Sequence, residues 1–134
     1  MRNLPIIAYG NSCHAKTWTN KATTFEDLCL RLSKTIRTTE SVEEYPEPSK
    51  TERDRIKDKD GFVVGQLRDN RRKQETVASR SMLTLDADHE PTDLLNSFEA
   101  TCTYAACLYT THGHTTEAPR ARIICADETG CHIR

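Results

Sequence analysis

The chain has 134 residues, which is enough for about one domain with its own hydrophobic core, and its formal net charge at pH 7 is -1. A charge this close to zero excludes a strongly basic or acidic protein, so any electrostatic recognition must be local. The N-terminal apolar run is broken by Pro5, and no stretch approaches the roughly 20 apolar residues of a membrane span. We therefore expect a single intracellular domain, residues 1–134, with no signal peptide and no membrane partner.

In chain order, the first predicted elements are a strand, a helix and a polar excursion. The run LPIIAYG predicts a strand that closes at Gly10. Residues 24–37 predict a helix with Thr23 or Thr24 as its N-cap. Residues 41–60 lose the apolar period, so we expect at most one short helix there, before the apolar island GFVVGQL. The buried face of the first helix is predicted to consist of Phe25, Leu28, Cys29, Leu32 and Ile36.

The segment from Lys50 to Arg80 is locally basic, because it carries ten of the nineteen Lys and Arg residues against six acids. A solvated surface is the simpler interpretation of such a segment. The alternative is a surface that contacts nucleic acid, since Lys and Arg neutralise phosphates. Under this alternative, the nucleic-acid-binding residues are Arg68, Arg71, Arg72 and Lys73.

The second half of the chain predicts a strand, a helix and a further strand. SMLTLD and YAACLYTT have strand patterns, and EPTDLLNSFEATC between them has Pro91 near a helix start and Leu94, Leu95 and Phe98 for a buried face. After a polar loop, RARIICA predicts another strand. We therefore expect an α/β (α+β) domain with a small mixed sheet, in which the strand-helix-strand unit carries the site at its carboxyl edge.

Two aspartates end the first strand of this unit. Alternate residues of a strand point to the same face, so Asp86 and Asp88 should lie side by side, which is unfavourable unless a positive charge is near. The second strand ends at His112 and His114, so acids and imidazoles should converge at one edge.

The side chains at this edge suit a bound metal and nucleotide. Paired carboxylates hold Mg²⁺ or Mn²⁺, and the nearby Arg120 and Arg122 could bind phosphate oxygens. This combination predicts a nucleotide and metal site.

The six cysteines are expected to be reduced thiols, because the chain has no export signal. Cys29, Cys107 and Cys125 sit in apolar patterns and should pack as small hydrophobes. An alternative zinc set has irregular spacing and consists of Cys125, Cys131 and His132 with Cys102 or Cys107.

Three stretches, LTLDADH, YTTHGHTTEAPRARII and SKTIRTTESVEEYPEPSKTERDRIKDKDGFVVGQL, resemble the N-terminal primase-polymerase-like domain of phage and plasmid replication proteins. These include proteins with virulence-associated protein E-type helicase domains, and they are similar to the archaeo-eukaryotic primases. The resemblance implies an RRM-like half of a primase catalytic core. It also implies Mg²⁺ or Mn²⁺ on Asp86 and Asp88, and a nucleoside triphosphate contacted by His112, or by His114 in the alternative register, with Arg120 and Arg122.

The resembling proteins also have a third acidic motif on a later strand, to which Asp127 and Glu128 are not assigned. The chain is therefore expected to be incomplete as an enzyme. The favoured hypothesis is a binding protein in the host cytoplasm, for example an anti-CRISPR-like inhibitor of a host defence nuclease, with nucleic acid or a host nucleoprotein complex as partner. The alternatives are a metal-dependent primase-polymerase domain, with Asp86, Asp88 and His112 as catalytic residues, and a nucleic-acid-binding module without metal.

Overall fold

A computed structural model of the chain describes residues 4–41, 43–45, 49–88 and 93–126, and these form a mixed α+β fold. The described strands form three small antiparallel sheets, with the strand orders β2-β1-β3, β4-β5 and β6-β8-β7. The described helices are α1 (Phe25–Leu32), α2 (Lys50–Lys57) and α3 (Leu94–Thr101). The strands are β1 (Ile6–Gly10), β2 (Thr19–Ala22), β3 (Gly61–Val63), β4 (Gly65–Leu67), β5 (Val77–Arg80), β6 (Met82–Asp88), β7 (Ala106–Thr110) and β8 (Arg120–Ala126).

The helix α1 begins where the sequence predicts it. The side chain of Thr24 caps it by accepting a hydrogen bond of 3.0 Å from the backbone N–H of Asp27. The prediction that the helix ends at residue 37 is wrong, because it ends at Leu32. The Ser33 hydroxyl donates a hydrogen bond to the carbonyl of Leu30 at this end. Ile36 lies beyond the helix and is 56% exposed, so it does not belong to the buried face.

The core has two parts. The larger cluster joins α1 to the first and third sheets through Ile7, Phe25, Leu28, Val64, Met82, Ile124 and Ala126. The smaller cluster consists of Ala8, Trp18 and Leu67. A Cβ atom on Gly10 would lie 2.6 Å from Trp18 Cε2, and one on Gly61 would lie 2.9 Å from Trp18 Cη2. Both positions therefore need glycine so that the indole ring can pack against the backbone.

The predicted strand-helix-strand unit is present as β6, α3 and β7. This sheet was expected to be mixed, but it is antiparallel. The strand β8 lies between β6 and β7 and pairs antiparallel with each of them. Since both outer strands oppose β8, they run in the same direction and end at the same edge. Pro91 lies outside the described residues, as do the side chains of Leu94 and Leu95.

Two of the remaining predictions are confirmed, and four strands were not predicted. The described residues between 41 and 60 contain one short helix, α2, as expected. Cys29 and Cys107 pack against the larger core cluster, and burial is the main reason that the pKa of Cys29 rises to about 12. The strands β2 and β5 were missed, because TNKA and VASR carry no clear apolar alternation. The apolar island GFVVGQL was noted, but it was not predicted to form the two short strands β3 and β4. Within the described ranges, no helix has the length and apolarity that a membrane crossing requires.

Candidate functional site

Three side chains form a row across the third sheet. The register pairs Asp86 with Arg122 and Arg122 with Tyr109, so all three lie on the same face. Arg122 Nε donates a hydrogen bond of 2.6 Å to Asp86 Oδ1. Burial has the largest single effect and lowers the pKa of Arg122, but the hydrogen bond to Asp86 and the interactions with the Asp86 charge and Tyr109 together outweigh it, so the net shift is upward. Burial also raises the pKa of Tyr109, although the guanidinium beside it opposes this rise. Arg122 and Asp86 are therefore a charged pair beside a neutral phenol.

The second aspartate of the strand also faces an arginine. The register places Asp88 opposite Arg120, just as Asp86 is opposite Arg122. The register thus places an arginine of β8 opposite each aspartate of β6, and opposite charges at such positions stabilise cross-strand pairs. Because Arg122 already occupies an oxygen of Asp86, this donor set does not fit a divalent cation unless the guanidinium moves away.

An open cleft of about 480 Å³ lies beside this row. One wall is the face of the third sheet that carries Asp86 and Arg122, and another wall is formed by β5 and the connection that leads into it. Four cations and one carboxylate line the cleft, and that carboxylate is paired with Arg122. The lining residues are Phe62, Val63, Val64, Leu67, Arg72, Lys73, Gln74, Val77, Arg80, Thr84, Asp86 and Arg122.

The loop between β1 and β2 holds Arg72 in place. Arg72 Nη1 donates a hydrogen bond of 3.2 Å to the carbonyl oxygen of Cys13, and its guanidinium carbon lies 5.6 Å from the centroid of the Trp18 ring. The turn before it has left-handed backbone at Asp69 and Asn70, two residue types that tolerate this conformation. The Asn70 carbonyl accepts from the N–H of Trp18 at 2.8 Å. Arg72 is thus anchored to the smaller core cluster.

The structure brings together some of the predicted site residues. Arg72 and Lys73, predicted to contact nucleic acid, line the same cleft as Asp86 and Arg122. Arg68 and Arg71 are exposed and do not line it. Sequence reasoning missed Arg80, although it ends the basic segment that was singled out.

The two predicted histidines lie in the loop between β7 and β8. His114 Nδ1 accepts a hydrogen bond of 3.1 Å from the backbone N–H of Arg120. His112 Nε2 lies 3.0 Å from the hydroxyl of Thr38, and the centroid of its ring is 4.3 Å from that of Tyr45. These side chains do not line the cleft, and their assignment to triphosphate binding stays a prediction.

A comparison with known protein families shows the family to which the chain belongs. The family model described as the VapE N-terminal domain matches residues 2–129. The chain belongs to the VapE N-terminal domain family. Neither the curated proteins nor the solved structures gave a significant match. Membership confirms the resemblance to the N-terminal domain of phage and plasmid replication proteins.

The chemistry available to this VapE N-terminal domain follows from the cleft. Guanidinium and ammonium groups on both walls can donate hydrogen bonds to phosphate oxygens. The apolar lining residues, which include Phe62, can contact a base or a sugar. Because the one lining carboxylate is paired, the cleft has an excess of positive charge and favours an anionic ligand.

Proposed function

We propose that this domain binds single-stranded nucleic acid through phosphates held in the cleft, as the nucleic-acid-binding part of a phage or plasmid replication protein. The observation that carries the proposal is the convergence of four cations around an open cleft that also has apolar lining residues. Its volume of about 480 Å³ falls within the usual range of ligand sites. An open cationic groove with an aromatic side chain is the combination by which proteins bind single strands.

The cations come from two separate parts of the fold, which supports a ligand that spans the cleft. Arg72, Lys73 and Arg80 belong to the β4–β5 connection and β5, whereas Arg122 comes from β8. A chain of phosphates can contact both walls at once. The hypothesis of an inhibitor of a host defence nuclease would use the same contacts, by competing for nucleic acid.

Charge reversal in the cleft tests this proposal. Lys73→Glu should weaken binding of a fluorescent single-stranded oligonucleotide by at least about 10-fold at low salt, because it removes a phosphate contact and adds a repulsive charge. For about three or four contacts, the plot of log affinity against log salt should have a slope of about -2 to -3 in the wild type. The variant should lose about one unit of that slope.

Lys21→Glu is the matched control, because Lys21 is exposed on β2, lies outside the cleft and undergoes the same change in charge. It should retain nearly the affinity of the wild type. Equal losses in both variants, or an affinity that does not depend on salt, would contradict a phosphate site in the cleft.

The second candidate function is metal-dependent nucleotidyl transfer, and the shared face of Asp86 and Asp88 favours it. One substitution separates the two candidates. If Asp86 only neutralises Arg122, Asp86→Asn frees the guanidinium and should strengthen oligonucleotide binding about 2- to 5-fold, the effect of about 0.5–1 kcal/mol per surface ion pair.

If Asp86 is a metal ligand, the same substitution should instead abolish any nucleotide incorporation that depends on Mg²⁺ or Mn²⁺. The assay measures incorporation on a single-stranded template, with Asp93→Asn as the control because Asp93 is an exposed acid outside the cleft. We expect stronger binding and no incorporation. Robust incorporation by the wild type, lost in Asp86→Asn, would establish the enzyme.

A further inference from the structure

Two loops that are far apart in the sequence meet on the surface outside the cleft lining. The Ser12 hydroxyl, in the loop after β1, donates a hydrogen bond of 2.5 Å to Asp58 Oδ2, just after α2. The backbone N–H of Cys13 donates one of 2.7 Å to Asp58 Oδ1. These bonds link residues 46 and 45 positions apart. They fix the carboxylate beside the dipeptide Cys13-His14.

The side chains at this meeting point have the chemistry and spacing of metal ligands. The Cys13 thiol, the His14 imidazole and an Asp58 carboxylate oxygen all lie within 4.8 Å of one another. In a tetrahedral zinc site, ligands about 2.0–2.3 Å from the metal lie about 3.3–3.8 Å apart, so only small side-chain movements are needed. Cys13 and His14 are exposed, which leaves access for an ion.

We propose that Cys13, His14 and Asp58 form a binding site for Zn²⁺. Sulfur and imidazole nitrogen are ligands that select zinc over magnesium or calcium, which prefer oxygen alone. Three protein ligands leave the fourth tetrahedral position to water or to a ligand of the metal. These three residues lie outside the lining of the cleft, so the proposed nucleic-acid site gives them no role.

The surroundings of the three ligands support the assignment. Ser12 orients the carboxylate and also accepts a hydrogen bond of 3.0 Å from the backbone N–H of His14, so one hydroxyl organises two of the ligands. Outer contacts of this kind hold metal ligands in position. A bound ion would join the β1–β2 loop to the turn after α2. It would also fix the position of the Cys13 carbonyl, which accepts a hydrogen bond from Arg72 in the cleft.

Cobalt is the probe for this site, because a thiolate bound to Co²⁺ gives a charge-transfer absorption band. The metal-free full chain should bind one equivalent of Co²⁺ with this band, and Zn²⁺ should displace it. Cys13→Ser should abolish the band. His14→Ala and Asp58→Asn should each weaken Co²⁺ binding by at least about 10-fold, because loss of even an outer contact typically costs about 10- to 100-fold.

Cys131→Ser is the matched control, since Cys131 also precedes a histidine in the sequence. It should leave the band unchanged. Circular dichroism checks that each variant is folded, and Ser12→Ala, which leaves all three ligands in place, should weaken binding by about 10- to 100-fold. The proposal is overturned if the wild type gives no band, if Cys131→Ser removes it, or if binding depends on Cys13 but not on His14 and Asp58.

Discussion

Replacing Trp18 with alanine should destabilise the domain by about 3–5 kcal/mol, the usual cost of removing a large aromatic side chain from a core. Trp18 is 2% exposed and is the largest member of the smaller core cluster. Its indole N–H donates a hydrogen bond of 2.9 Å to the carbonyl of Ala15. Gly10 and Gly61 pack against its ring and have no side chains, so they cannot fill the cavity that the substitution would leave. Urea unfolding followed by circular dichroism measures the loss, since the variant has no tryptophan fluorescence.

Trp18→Phe is the comparison variant, because it keeps an aromatic ring but gives up the hydrogen bond and part of the volume. Its loss in free energy of unfolding should be clearly smaller than that of the alanine variant. A cost below about 1 kcal/mol for Trp18→Ala is typical of surface changes and would show that the ring is not packed as described.

Leu28→Ala should destabilise the domain by about 2–5 kcal/mol, the range observed when buried leucines are cut back to alanine. Leu28 is 0% exposed and lies in the larger core cluster, which joins α1 to the strands that carry Ile7 and Ile124. The loss combines the transfer free energy of the removed groups with the cavity that remains. Thermal and urea unfolding of the two proteins give the difference.

Leu30→Ala tests the same helix without touching the core. Leu30 is 64% exposed, and both substitutions replace leucine by alanine within α1, so their effects on helix propensity are equal. Leu30→Ala should change the free energy of unfolding by less than about 0.5 kcal/mol. Similar effects from both variants would mean that α1 packs through another face.

Local patterns predicted the elements that depend on local interactions. The apolar period and a capping threonine were enough to place the start of α1, since both act within one helical turn. The end of the helix was misplaced because Ile36 continues the apolar period after the helix has stopped at Ser33. The strand β2 is polar and is held by its pairing with β1, an interaction that a local pattern does not contain.

In the candidate site, too, local patterns predicted some features, whereas others depend on contacts between distant segments. Alternation along β6 was enough to place Asp86 and Asp88 on one face. That each would face an arginine depended on β8 lying between β6 and β7, which is a choice of pairing between distant segments. The position of Arg72 and Arg80 in the lining of the same cleft likewise depends on how the second sheet packs beside the third. Such contacts arise from tertiary packing and are not encoded in the spacing of residues.

The central strand β8 links binding to the integrity of the fold. Ile124, which is fully buried, and Arg122, which lines the cleft, are two residues apart on the same face of this strand. Withdrawing β8 would open the core and dismantle the cleft together, so the unfolded chain would have no binding site. A phosphate ligand at 100 times its dissociation constant would then add about 2.7 kcal/mol to the stability of the whole domain. If the domain binds nucleic acid in the cleft as proposed, the ligand would stabilise the whole fold and not only the cleft.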